Sequence, residues 1–374
     1  MTRVLFVSTM YPANAAGFRG VFIRNLLFAL ARAGGLDLRV WAPPGELPAD
    51  AAAVTTTGEA EWLSRLIARG GISHVLRSGG PRGPLAALHM LRMLASAYRR
   101  TRDVEIYHLN WLQCALPLPR NGKPALISVL GNDLKLLRLP FMRLLLRRVM
   151  RKREVAICPN AEWMHEPLQE AFGDVARIRP VSFGIDPLWY AVQRDAFSTG
   201  PKLWIVVARL TADKLGPLFD WSKDLFVDPA TRQLHLFGPM EQDIEIPDWV
   251  HYHGPAAPAE LAQQWFPKAC GLVSLSRHAE GRPQVMLEAM AAGLPIVASR
   301  MDAHASIVAD GASGLLCDTA TSYAHALAAL EDRETNQRFG VESRRLARAR
   351  MGTWDDCARR YLAIYDELLG HADD

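Results

Sequence analysis

One pattern governs what this chain can fold into. Short unbroken apolar runs recur, each followed by a turn bearing glycine or proline and then by apolar residues at helical spacing. Residues 4–7 (Val-Leu-Phe-Val) form the first run, and an uninterrupted apolar strand of this kind is buried on both faces, as in a parallel sheet. Pro12, Asn14, Gly17 and Gly20 mark the turn that follows. Residues 21–33 carry apolar side chains at helical spacing and stop at Gly34-Gly35, after which residues 38–43 resume as a strand. Further runs at 105–109, 125–129 and 155–158 continue the alternation, the signature of a parallel sheet covered by helices.

A second series starts after Pro180, with strands expected at 202–208, 233–237, 271–275 and 295–299, the last directly after a helix that ends at Gly293. The chain's 374 residues exceed the length at which single cores stop growing. The expectation is an α/β protein of two Rossmann-like, doubly wound domains facing each other across a cleft. The N-terminal domain covers 1–180 and the C-terminal domain 181–353. A final amphipathic helical segment, 354–374, packs back on the N-terminal domain.

Several classes are excluded. No apolar run is long enough to span a bilayer, and the first one is too short for the core of a signal peptide. The five cysteines (Cys114, Cys158, Cys270, Cys317, Cys357) are scattered without a Cys-x-x-Cys pair, which reads as reduced thiols in a cytoplasmic protein. No Gly-x-Gly-x-x-Gly follows the first strand, against a nicotinamide dehydrogenase. Charge is uneven: residues 1–180 hold 25 Lys/Arg against 13 Asp/Glu, the remainder 18 against 26. The first half is thus expected to meet something anionic, with a phosphorylated acceptor and an acidic membrane surface as candidates. Nucleic acid is not expected as a partner, because no recognition motif accompanies the charge. Residues 135–153 contain eight basic residues and no acid, interleaved with Leu, Phe and Met. That segment reads equally as a surface for anionic lipid or as a core-facing helix with a solvated basic side, split or started by Pro140.

The chemistry concentrates in residues 274–295. Ligands of open α/β sheets bind beyond the carboxyl ends of the strands, where the amides of the next helix point outward. Glu280 falls in the turn after a strand, Gly281 permits close backbone approach, and Pro283 can begin a helix because its missing N–H is not needed there. Glu288 lies about one and a half turns further on. The two carboxylates can grip separated hydroxyl-bearing groups, while free amides at the helix start suit a phosphate.

This arrangement resembles the Glu-x7-Glu signature of the retaining GT-B glycosyltransferases of the large fourth family. Residues 207–214, with Arg209 and Lys214, look like that family's diphosphate-binding Arg/Lys segment. Gly238 looks like its glycine strand end, His253-Gly254 like its loop near the base, and residues 11–22, with Gly17 and Gly20, like its glycine loop over the phosphates. The four elements come in the family's order. The resemblance implies that Glu280 positions the transferred sugar and that Arg209 and Lys214 neutralise the departing diphosphate, the three forming the catalytic set. Glu288 would hold the ribose, with Gly281, Arg282, Pro283, Gln284 and Val285 completing the donor site. His108, Asn110, Asn132, Asp133 and Lys135 would serve the acceptor. Cations aimed at the leaving phosphate stabilise the transition state more than the ground state, so no metal and no other cofactor is expected.

Three positions depart from the pattern: Leu130 stands where relatives have histidine, Asn110 where a common His-x-His-Trp pattern has its second histidine, and Ser306 where relatives have an acid. The implied activity is transfer of a hexose-type sugar from a UDP- or GDP-sugar to a cell-surface glycan or lipid-linked acceptor, by a cytoplasmic protein bound peripherally to the inner face of the membrane. A nucleotide-sugar epimerase or hydrolase of the same fold, or a binding protein on a degenerate transferase frame, are the alternatives.

Overall fold

A computed structural model describes residues 1–14, 20–78, 80, 82–131, 133–197, 200–278 and 281–370. The chain divides into two compact units, Met1–Gly184 with Trp354–Asp374, and Ile185–Thr353.

In the first unit, seven strands form one parallel sheet: β1 (Thr2–Val7), β2 (Leu36–Trp41), β3 (Ala51–Ala53), β4 (Ile106–Asn110), β5 (Ala125–Val129), β6 (Val155–Pro159) and β7 (Arg177–Ile178). Their order is β3-β2-β1-β4-β5-β6-β7. Every residue of β4, β5 and β6 is buried, which is why these strands read as unbroken apolar runs. The sequence pattern missed β3, an all-alanine edge strand that is mostly exposed, and β7, which has two residues. The helix Val21–Ala33 ends against Gly34, at φ +79. The helix Trp354–Leu369 buries Trp354, Cys357, Tyr361, Ile364, Tyr365 and Leu368 in the same core cluster as Ile23, Leu26, Leu27 and Leu30.

The second unit repeats the plan. β8 (Lys202–Val207), β9 (Arg232–Phe237), β10 (Val250–Tyr252), β11 (Ala269–Ser274), β12 (Ile296–Ser299) and β13 (Gly314–Cys317) lie in the order β10-β9-β8-β11-β12-β13. In both sheets the winding reverses beside the first strand, between β1 and β4 and between β8 and β11. Such switch points leave a crevice outside the carboxyl ends of two neighbouring strands, where ligands of doubly wound folds bind.

The segment 135–153 is not one helix. It contains the helices Asp133–Leu136 and Met142–Met150, and Phe141 sits at the start of the second with φ +61.

Candidate functional site

In the second unit, β8 and β11 deliver two stretches of chain to the switch point. After β8 come Arg209, Thr211 and Lys214. The Thr211 hydroxyl accepts from the Lys214 amide at 3.2 Å and so starts the short helix Ala212–Leu215. After β11 come Leu275 to His278. The two stretches are tied directly: the Arg277 amide donates to the Asp213 carbonyl at 2.7 Å. Gly216 passes so close that a Cβ there would stand 2.1 Å from the Leu275 carbonyl oxygen. The Arg209–Lys214 segment is thereby held against the run that leads into the helix Gln284–Ala291.

Gly238, at the end of β9, has φ +134, and a Cβ there would stand 1.7 Å from the Ala208 carbonyl oxygen. Only glycine fits. The Gly238 amide donates to the Gly254 carbonyl at 2.8 Å, closing β8, β9 and β10 together at their carboxyl ends. His253 stacks on Phe237 and leans on Trp265, each 4.6 Å between centroids, and its Nε2 lies 2.9 Å from His235 Nδ1. Burial, with the charge of His251 adding, holds the His253 imidazole below its usual range.

Arg209 Nη1 donates to Glu241 Oε2 at 2.8 Å. Gly281 and Pro283 are buried; Arg282, Gln284 and Val285 are half-buried. Arg282 donates to the Ser306 carbonyl at 3.3 Å. Ser306 turns its own hydroxyl to the Ala303 carbonyl at 2.9 Å, so the position that departs from the family pattern closes on its local turn. Glu288 lies four residues after Gln284, one turn into the helix. Burial pushes its carboxyl up to about 8, and the charge of Asp186 adds to the rise. Asp186 itself caps the helix Pro187–Tyr190, accepting from the Leu188 amide at 2.9 Å. Gly17, Asn132 and Glu280 lie outside the described residues, while Gly20 opens the helix Val21–Ala33 at φ +80. Among the described residues, no group of three His, Cys, Asp or Glu side chains could hold a metal ion.

The proposed acceptor residues divide. His108 is fully buried, with Nδ1 on the Tyr365 hydroxyl and Nε2 3.0 Å from Ser128 Oγ, which in turn meets the Tyr361 hydroxyl at 3.0 Å. Burial holds its imidazole down to about 3. Asn110 is also fully buried and donates to the Val7 carbonyl at 2.9 Å. Asp133 accepts from the Leu112 and Leu130 amides at 2.9 Å each, and burial raises its carboxyl to about 6 against the pull of those bonds. The polar atoms of these three are enclosed and join β4 to its neighbours β1 and β5 and to the segments around them. Lys135 is exposed.

Three residues escaped the sequence reading. Asp186 carried a signal, since Asp before Pro marks a helix start, but its approach to Glu288 did not show. Glu241 lies three residues beyond Gly238 with no local signal. Trp111, at the end of β4, is held at φ +78, ψ 139 and half-buried; a non-glycine residue in that region is strained, and such strain collects at functional sites.

Two parallel sheets with matching switch points, and a cation segment facing a helix start, define a GT-B fold of the glycosyltransferase type. Residues 222–332 match the family described as glycosyl transferases group 1. The chain is 28% identical over 135 residues to the D-inositol 3-phosphate glycosyltransferase of Corynebacterium glutamicum, a match covering 35% of this chain and 31% of the relative. It thus spans about a third of the length of the curated relatives it matches. Its fold is similar over 99% of its length, and all of the other chain, to sucrose-phosphate synthase from Thermosynechococcus elongatus (TM-score 0.74, 16% identity). Anabaena HepE in complex with UDP and glucose is similar over 98% of this chain and all of its own (TM-score 0.67, 14% identity). The match to glycosyl transferases group 1 thus falls within the second unit, while the likeness to GT-B structures extends over the whole chain.

Proposed function

We propose that this protein transfers a hexose-type sugar, with retention and without a metal, from a UDP- or GDP-sugar to a hydroxyl of a cell-surface glycan or lipid-linked acceptor. The observation that carries the reading is the tie between Asp213 and Arg277, which brings the Arg209–Lys214 segment beside the approach to the helix Gln284–Ala291 at the β8/β11 switch point. In this reading Arg209 and Lys214 take the diphosphate and the first amides of the helix add their dipole. Glu288 takes the ribose hydroxyls and Glu280 the sugar. UDP and glucose bound in HepE support a nucleotide-sugar donor. The excess of positive charge in residues 1–180 supports an anionic acceptor.

The same reading puts the protein on the cytoplasmic face of an anionic membrane through residues 135–153. Among the described residues no helix is long and apolar enough to cross one. Leu139, Phe141, Leu144 and Leu145 are exposed beside exposed Lys135, Arg138, Arg148, Arg151 and Lys152. Arg143, Arg147 and Arg153 are turned inward to the carbonyls of Ala171, Glu170, Lys123 and Pro119. A cationic rim around exposed apolar side chains fits an anionic bilayer.

The test is incubation with a panel of UDP- and GDP-sugars, with and without membrane lipid extract, followed by product analysis. Sugar transfer that requires acceptor and leaves the anomeric configuration unchanged is expected. Acceptor-independent release of free sugar, an epimerised donor, or donor binding without turnover would each replace the transferase reading with one of the alternatives.

A further inference from the structure

The far end of the helix that carries Glu288 meets a second set of charges. The last carbonyls of a helix have no amide partner within it, and here arginines take them. Arg344 donates to the Ala291 carbonyl at 3.1 Å and to the Ala292 and Val192 carbonyls at 2.8 Å each. Arg194 donates to the Gly293 carbonyl at 2.8 Å and to the Ala269 carbonyl, at the start of β11, at 2.8 Å. Gly340, in the helix Arg333–Arg350, presses so near that a Cβ there would stand 2.4 Å from the Gly293 carbonyl oxygen and 3.0 Å from Arg194 Nη1. Only glycine lets the two helices approach this closely.

Beside this contact lies a cavity of about 840 Å³ lined by Arg194, Arg344, Arg345, Arg348 and Gln337, among others, and by no acidic residue. Only Arg345 among these four has a carboxylate, Glu342, one turn back on its own helix. Among the described residues Arg194, Arg344 and Arg348 form no ion pair. Arg344 and Arg348 stand at i and i+4, where like charges repel. The repulsion registers in the groups themselves: burial and then the charge of Arg348 lower Arg344, and burial, with Arg344 adding, brings Arg194 down to about 10. Helix capping accounts for Arg194 and Arg344. It does not account for Arg348, whose guanidinium lies 5.5 Å over the Tyr190 ring, nor for Arg345, since neither donates to the helix end.

We propose that this cavity is a second anion site, for the linked phosphates of a di- or triphosphate, set apart from the nucleotide-sugar site at the β8/β11 switch point. Guanidinium forks match phosphate oxygens two at a time, and the volume lies in the range of small-ligand sites. The eight-residue helix Gln284–Ala291, about 12 Å long, separates the two regions. Bound phosphates would supply the counter-charge that the arginine cluster lacks.

The experiment measures melting temperature and calorimetric binding with inorganic pyrophosphate, tripolyphosphate and ADP, against sodium chloride of matched ionic strength. An anion-specific rise in melting temperature is expected by mass action. The variant Arg345→Glu/Arg348→Glu, altered only at exposed side chains, should bind at least tenfold more weakly, with Arg348→Ala intermediate and Arg209→Ala like the wild type. Equal response to pyrophosphate and ADP would make the phosphates sufficient; response to ADP alone would make the ligand a nucleotide. Unchanged affinity in both Arg348 variants, affinity lost in Arg209→Ala, or no effect beyond that of chloride would overturn the proposal.

Discussion

Arg209 and Glu241 form an ion pair at 2.8 Å across the ends of β8 and β9, with the arginine side chain 39% exposed and the carboxylate 19%. The chain therefore supplies its own stand-in for the negative charge that Arg209 is proposed to receive. An arriving diphosphate must displace that carboxylate. A partly exposed pair of this kind is worth about 0.2–1 kcal/mol. Glu241→Gln is expected to tighten UDP or GDP binding by up to about fivefold. Arg209→Ala should weaken it by at least tenfold while leaving the unfolding midpoint nearly unchanged. Calorimetric titration of the two variants checks both. Weaker binding in Glu241→Gln would mean that the carboxylate aims the guanidinium and does not compete for its ligand.

Glu288 gives a pH signature. Its folded carboxyl titrates near 8, against 4.5 for the free side chain. Between those values the folded protein holds a proton that the unfolded chain has released, so this group's contribution to stability falls as pH rises through the window and levels off above about 8. Glu288→Gln cannot ionise and escapes that loss. It should match the wild type in urea unfolding near pH 4.5 and exceed it by a margin that grows up to pH 8. Above pH 8, where the wild-type carboxylate is ionised, the same variant should bind the donor about tenfold more weakly, because it lacks the charge-assisted bond to the ribose. A margin that does not change with pH would remove the buried-acid account of this residue.

How far the sequence could be read depended on whether the cause was local. The runs that became β1, β4, β5 and β6 were legible because a strand buried on both faces must be apolar throughout. The helix starting after Pro283 was legible because proline and glycine mark their own backbone requirements. The edge strands β3, β10 and β13 are three or four residues long and carried no comparable period. The site divided in the same way. Gly238 could be singled out from its place at a strand end, and the structure gives the reason in the Ala208 carbonyl oxygen. His108 could not be judged, because what encloses it is Tyr361 and Tyr365, more than 250 residues away in the case of Tyr365. A polar residue at a strand end looks the same in sequence whether it faces a ligand or a distant tyrosine. Glu241 was invisible for a related reason: its partner is 32 residues earlier, and only the pairing of β8 with β9 brings them together.

Phe141 offers the sharpest test of the membrane surface. Its ring is 76% exposed and its backbone sits at φ +61, a conformation that costs a non-glycine residue about 1–2 kcal/mol. Neither burial nor backbone preference favours phenylalanine there, which makes this ring the side chain to test against a lipid surface. Leu144 and Leu145, on the helix that follows, are exposed beside it, and Arg148 and Lys152 line a cavity of about 320 Å³ with an apolar floor of Leu91, Leu116 and Leu118. Each Lys or Arg near an anionic surface contributes about 1 kcal/mol. The wild type should sediment with vesicles containing phosphatidylglycerol, not with pure phosphatidylcholine, and should release as salt rises. Phe141→Gly should lose most of that binding with no loss of thermal stability, because glycine relieves the backbone. Arg148→Glu/Lys152→Glu should lose the dependence on anionic lipid. Salt-insensitive binding, or full binding by Phe141→Gly, would show that the exposed ring serves some other contact.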